Sequence, residues 1–182
     1  MIKMLLICTL VVSSFASGLI NENILMGMPQ NFKVGYKAYN PKTHLSVAEL
    51  IPKNESVQDW SQMITLDIYH KNLPLNAKKY TLMMKDLWKR SCAKSYTKDI
   101  AHGKENGYDF SLLMLFCPKS KVTNKSEYTW LKAIKGKDSF YVVQKAFTIP
   151  PNKSQIIKTM QYLRRVQVCD SRLGNCPKIG KH

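Results

Sequence analysis

The segment VCDSRLGNCP at residues 168–177 sets Cys169 and Cys176 around six residues that include Asp170, Arg172 and Gly174. Thiols so spaced can hold a metal, exchange with another thiol or close a disulfide, and the other cysteines decide between these. Beyond the first eighteen residues there are two more, Cys92 and Cys117. Zinc sites favour close CxxC-type pairs and thiol oxidoreductases carry CxxC itself; this chain has neither. Four cysteines in an exported chain therefore read as two disulfides, with three possible pairings. Cys92 with Cys117 and Cys169 with Cys176 is the preferred pairing, because each bond joins sequence neighbours and ties down a separate element. Loop-closure entropy assigns about 3.5 kcal/mol to the longer loop and about 2.5 kcal/mol to the shorter. Gly174 is then free to take a positive φ, Pro177 ends the loop, and Asp170 and Arg172 pair with each other or cap local backbone.

Other reactive side chains are sparse. Of four histidines, His182 is the last residue, His44 and His102 fall at strand or turn edges, and His70 ends a strand beside Lys71. A hydrolytic histidine would require His70 or His102 to meet an acid such as Asp67 or Asp99 across the fold. The chain has no GxSxG, Walker loop, HExxH or dinucleotide glycine pattern, and it indicates no cofactor and no metal-ligand set. Asp59, Asp67, Asp109 and Asp138 have structural uses in turns or on wet strand faces. YTWLK (128–132) and FYVVQK (140–145) interleave aromatic with basic residues; hairpin core accounts for Trp130 and Tyr141 more economically than stacking on bases or sugars.

Twenty-eight lysines and arginines face twelve acids, a formal net charge of +16, and only Lys3 of these basic residues lies within the first eighteen positions. Such a balance favours an anionic lipid, a glycan or an acidic protein surface as partner. Arginine is represented by Arg90, Arg164, Arg165 and Arg172 alone. The bidentate recognition that nucleic-acid phosphates favour is therefore poorly supplied.

The N-terminal MIKMLLICTLVVSSFASGLI places Lys3 before an apolar run from Met4 to Val12, with small residues near Ala16 and Gly18. The run is about half the roughly 20 residues that span a bilayer, so residues 1–18 read as a secretory signal peptide. No later stretch is long and apolar enough to span. Residues 19–30 are expected to form a flexible lead-in and 31–182 a single domain, exported to the periplasm or secreted.

The elements that must position these side chains follow from periodicity. FKVGYKAY (32–39) alternates as a strand, NPKT supplies a turn, and HLSVAELI (44–51) returns. Residues 55–61 are expected to make one helical turn that places Trp60 inward, before a third strand through Ile64, Leu66 and Ile68. A helix over about 76–92, capped by Asn76, presents Tyr80, Met83, Met84, Leu87 and Trp88 inward. Its outer face carries Lys78, Lys79, Lys85, Lys89, Arg90 and Lys94 against Asp86 alone. GKENG (103–107) and KGKDS (135–139) mark two hairpins. After two prolines a second helix buries Ile156, Ile157, Met160 and Leu163 and ends on Arg164 and Arg165. The class is α+β: a mostly antiparallel sheet of about six or seven strands, two main helices packed on one face, and disulfide staples.

The segments ELIPKNESVQDWSQMIT (49–65), NGYDFSLLMLFCP (106–118), EYTWLKAIKGKDSFYVVQKAF (127–147) and MQYLRRVQVCDSRLGNCP (160–177) together resemble a group of small exported proteins of Gram-negative bacteria with no assigned activity. The resemblance implies a bacterial, exported, single-domain, disulfide-bearing protein and carries over no functional residue. The first functional expectation is a non-enzymatic exported protein that contacts an anionic or protein partner through Lys78, Lys85, Lys89 and Arg90 of the first helix and Arg164 and Arg165 of the second. A small hydrolase acting on cell-envelope or host material, and an envelope assembly factor that pairs through a sheet edge, are the alternatives.

Overall fold

The structure, a computed structural model, describes residues 19–71, 73–121 and 123–177. The expected signal peptide and His182 lie outside these residues. Seven antiparallel strands form the main sheet: β2 (Phe32–Asn40), β3 (Leu45–Pro52), β4 (Gln62–Tyr69), β5 (Tyr96–Glu105), β6 (Tyr108–Cys117), β7 (Glu127–Lys135) and β8 (Phe140–Phe147). Their order across the sheet is β2-β3-β4-β8-β7-β6-β5. Helix α1 (Ala77–Ser91) joins β4 to β5, and α2 (Lys153–Arg165) follows β8. A two-stranded ribbon pairs β1 (Glu22–Leu25) with β9 (Gln167–Asp170). The α+β class with a mostly antiparallel sheet and two disulfides is as the sequence implies. Among the described residues no helix is long and apolar enough to cross a membrane.

The helices lie on opposite faces of the sheet, not on one. Tyr80 of α1 packs with Leu113, Leu115, Leu131, Phe140 and Val142, whereas Leu163 of α2 packs with Leu112, Trp130, Ile134, Tyr141 and Val143. Strands β6, β7 and β8 are apolar in both registers, as Leu112 and Leu113 or Val142 and Val143 show. Successive side chains point to opposite faces, so a central strand of this kind requires cover on each.

Asn76 caps α1 by accepting from the Lys79 N–H at 2.8 Å, and Asn152 and Gln155 form a reciprocal capping box at the start of α2. The phase of each helix differs from expectation. Tyr80 and Thr81 are buried on α1 with Met84 and Trp88 packed behind them, but Met83 and Leu87 face out. On α2, Thr159 and Leu163 are buried whereas Ile156 and Ile157 are exposed. The C-terminal end sets that phase. Lys132 of β7, 2 % exposed, donates to the Leu163 and Val166 carbonyls at 3.0 and 2.8 Å and pairs with Glu105. A cation against the unsatisfied carbonyls of a helix end is favourable, and it locks the last turn over β7.

Residues 55–61 form bends and irregular backbone rather than a helical turn, closed by Ser61 donating N–H and hydroxyl to Glu55, both at 2.6 Å. Trp60 is buried as expected. In the β5–β6 hairpin Asn106 and Gly107 take the positive φ of a two-residue turn, 51° and 85°, and Gly103 lies inside β5 instead. The lead-in at 19–30 is ordered where it contains β1. Glu22 accepts N–H bonds from Lys137, Asp138 and Ser139 at 2.6, 3.3 and 3.1 Å and the Tyr141 hydroxyl at 3.1 Å. A side chain at Gly136 would collide with that carboxylate.

Cys92 bonds Cys117 and Cys169 bonds Cys176. Asp170 caps the short 3-10 turn Ser171–Leu173 and accepts from the Arg172 backbone and guanidinium, so it both pairs and caps. Arg172 also reaches Asp138 at 2.6 Å, joining the C-terminal loop to the β7–β8 turn.

Candidate functional site

The basic residues singled out in the sequence do not converge. Lys78, Lys89 and Arg90 are exposed on α1, but Lys85 is folded down onto Asp99 and mostly covered. Arg164 and Arg165 are exposed at the end of α2, on the opposite face of the sheet. Between its cations, α1 exposes Leu82, Met83 and Leu87 by 48, 45 and 46 %.

A pocket of about 300 Å³ opens between α2 and the β4–β8 pair. Ile64 of β4, Phe147 of β8 and Phe32 of β2 form apolar walls; α2 contributes Thr159 and Tyr162, with Lys158 and Arg165 beside them. Lys145 of β8 also lines it. This lysine is 8 % exposed, and no carboxylate among the described residues lies within ion-pair distance of its ammonium. Its Nζ stands 4.3 Å from the centre of the Phe32 ring and 5.2 Å from that of Phe147. Ring faces attract a cation but replace only part of its hydration. Burial therefore pushes the Lys145 ammonium down to about 8, with Glu55 pulling weakly the other way. The Tyr162 hydroxyl is buried without a hydrogen-bond partner, and burial pushes its phenol up to about 12.

Lys145, a buried cation with no carboxylate at ion-pair distance among the described residues, and Tyr162, whose buried hydroxyl has no hydrogen-bond partner, line one apolar pocket, a combination complementary to an anionic group on an apolar body. The signal for Lys145 is present in the strand pattern. It occupies the apolar rank Tyr141, Val143, Lys145, Phe147, as Lys132 occupies Trp130, Lys132, Ile134. A lysine in such a rank on a central strand is either paired inside the fold, as Lys132 is, or left to a ligand.

Among the described residues no histidine lies within ion-pair distance of a carboxylate. His70 Nε2 meets Ser46 Oγ at 2.7 Å and His44 Nδ1 meets the Tyr39 hydroxyl at 3.2 Å. Asp99 is taken by Lys85. His102 and Asp109 border a hollow of about 290 Å³ near the start of α1, but Asp109 faces Lys104 at 3.9 Å. Among the described residues no group of three or more histidines, cysteines or acids could hold a metal ion.

No family model and no curated protein matches the chain. Among solved structures it is similar to the Ran-binding protein Mog1p of Saccharomyces cerevisiae, at a TM-score of 0.49 and 12 % identity over 85 % of this chain and 99 % of that one. It is also similar to LpqN of Mycobacterium tuberculosis, involved in cell envelope biogenesis, at a TM-score of 0.41 and 8 % identity over 85 and 87 % of the two chains. No site residue is transferred from either.

Proposed function

We propose that the protein is an exported binding protein that holds an anion with an apolar body in the pocket under α2. The observation that carries this reading is Lys145, nine-tenths buried, uncompensated, and placed between two ring faces in an apolar cavity. The signal-peptide pattern and the two disulfides support export. Lys158 and Arg165 on the α2 wall raise the local positive potential, which helps an anion enter without adding a fixed partner.

Binding is tested with hexanoate against its neutral amide, by titration calorimetry and by the fluorescence of Trp130, whose ring lies edge-on to Phe147 at 6.0 Å. Hexanoate is expected to bind and the amide to bind much more weakly. Lys145→Met is expected to lose about ten- to a hundredfold of the affinity, the range for a hydrogen bond to a charged group. The pH dependence has a defined sign. The groups facing Lys145 are Lys158 and Arg165 from α2 and Glu55 from the β3–β4 connection, while Ile64, Phe32 and Trp130 on the packed strands carry no charge. Lys145 in the free protein loses its proton near pH 8, so affinity is expected to fall as pH rises through that value and to stay flat in the methionine variant. Equal binding of acid and amide at all pH values refutes the reading.

A second reading is favoured by the exposed apolar residues of α1. Leu82, Met83 and Leu87 lie among Lys78, Lys79, Lys89 and Arg90 on its outer side, a pattern that suits adsorption on an anionic lipid surface.

A further inference from the structure

The apolar surface beside Lys145 continues beyond Ile64. Leu66 and Ile68 follow on the same face of β4, both packed against the cluster that contains Ile64. Register places Lys145 opposite Ile64, Val143 opposite Leu66 and Tyr141 opposite Ile68 on one side. Leu50, Ala48 and Ser46 stand opposite the same three residues on the other. Leu66 and Ile68 line a second hollow of about 470 Å³ together with Ser46, Ala48, Lys37 and Tyr39. The two hollows thus share one rank of β4, and Ala48 is the small side chain that keeps the second one open. From Ile64 to Ile68 the strand rises about 14 Å, the reach of an extended alkyl chain of roughly eleven carbons joined by bonds of about 1.5 Å. The far end is closed by polar and ring groups: Ser46 Oγ on His70 Nε2 at 2.7 Å, and the Tyr39 ring edge-on to His70 at 5.9 Å.

Building on the reading that the α2 pocket takes an anion, we propose that its occupant is a single-chain fatty acid. The carboxylate sits at Lys145 and Tyr162, and the alkyl chain runs over Ile64, Leu66 and Ile68 to stop at Tyr39. Charge complementarity sets the direction. The buried, uncompensated cation is at the Ile64 end, and a carboxylate can accept from both the ammonium and the phenol. Lys37, level with Leu66 through Ala48, borders the second hollow from the exposed strand β2 and stays in solvent, so it offers no buried charge to compete for the carboxylate.

The test is a series of saturated fatty acids from four to sixteen carbons, each below its micelle concentration, titrated into the disulfide-intact protein at pH 7 alongside the matching alcohols. Affinity is expected to rise about fourfold per methylene, the value of one buried CH₂, up to about twelve carbons and then to level off. Alcohols of the same length are expected to bind at least tenfold more weakly. Ala48→Phe fills the second hollow and is expected to move the plateau to shorter chains while leaving hexanoate unchanged. Ile68→Gln, on the same rank, is a second variant with the same expected direction. If hexanoate binds and longer chains gain nothing, the fatty-acid assignment is overturned and the anion pocket stands. If no anion binds, both fall; if alcohols match the acids, the carboxylate placement is wrong.

Discussion

Asp67 on β4 is a half-buried acid of a basic protein, on the face of the sheet opposite the Lys145 pocket. Burial pushes its carboxyl up to about 6, the neighbouring Glu49 adds to that, and a hydrogen bond with Gln144 opposes it. A raised carboxyl binds its proton more tightly in the folded state, so the stability it contributes is complete below about pH 4 and is lost as pH rises through about 6. The shift corresponds to an upper value of about 3 kcal/mol. Asp67→Asn is therefore expected to stabilise the fold by about 1 to 3 kcal/mol at pH 7.5 and to leave it unchanged near pH 4. Urea unfolding at the two pH values checks this, and equal stability at both counts against it. Lys145 carries the mirror-image penalty. Its lowered ammonium destabilises the empty protein below about pH 8, and that cost fades as pH rises toward the ordinary lysine value. A methionine at 145 should thus give a more stable protein that binds less, a separation a merely misfolded variant cannot produce.

At the scale of elements, α1 combines two roles that its sequence does not separate. Its inner side is fixed by Ala77, Tyr80 and Thr81, the last with its hydroxyl 3.0 Å from that of Ser111 on β6. Met84 and Trp88 pack behind them, and Leu82, Met83 and Leu87 are turned to solvent. Periodicity alone allowed Met83 and Leu87 to point inward, because residues three and four apart are close on any helix; the sheet accepted only the side led by Tyr80. Adsorption through this side is expected to hold the protein on vesicles containing anionic phospholipid and not on zwitterionic ones, and to weaken steeply between low and moderate salt. Replacing Leu82, Met83 and Leu87 by glutamine should reduce vesicle co-sedimentation at least severalfold without changing the melting temperature by more than a few degrees. Retention on zwitterionic vesicles, or indifference to the triple change, removes α1 from the contact. The outcome is independent of the α2 pocket, since the helices lie on opposite faces of the sheet.

At the scale of the whole molecule, the disulfides connect what the sheet leaves loose. Cys92–Cys117 joins the end of α1 to the end of β6, and Cys169–Cys176 closes the loop after β9. Removing the first pair is expected to lower stability by about 3.5 kcal/mol and the second by about 2.5 kcal/mol, from loop entropy alone. Chemical unfolding of the two double alanine variants measures both. If the reduced wild-type protein is as stable as the oxidised one, neither bond contributes.

The residues by themselves determined the class, the hairpins and the Asn76 cap, and they favoured the disulfide pairing that forms, because those depend on local periodicity, turn chemistry and separation along the chain. They also placed Lys145 in an apolar rank, a mark visible in FYVVQKAF. What only the tertiary structure decided is which side of each helix is buried, that the helices take opposite faces, that β1 pairs with β9, and that Lys132 finds carbonyls and Glu105 while Lys145 finds only ring faces. These outcomes depend on partners distant in sequence. A strand pattern states that a side chain points to one face of a sheet, and the element that arrives over that face determines whether its charge is met.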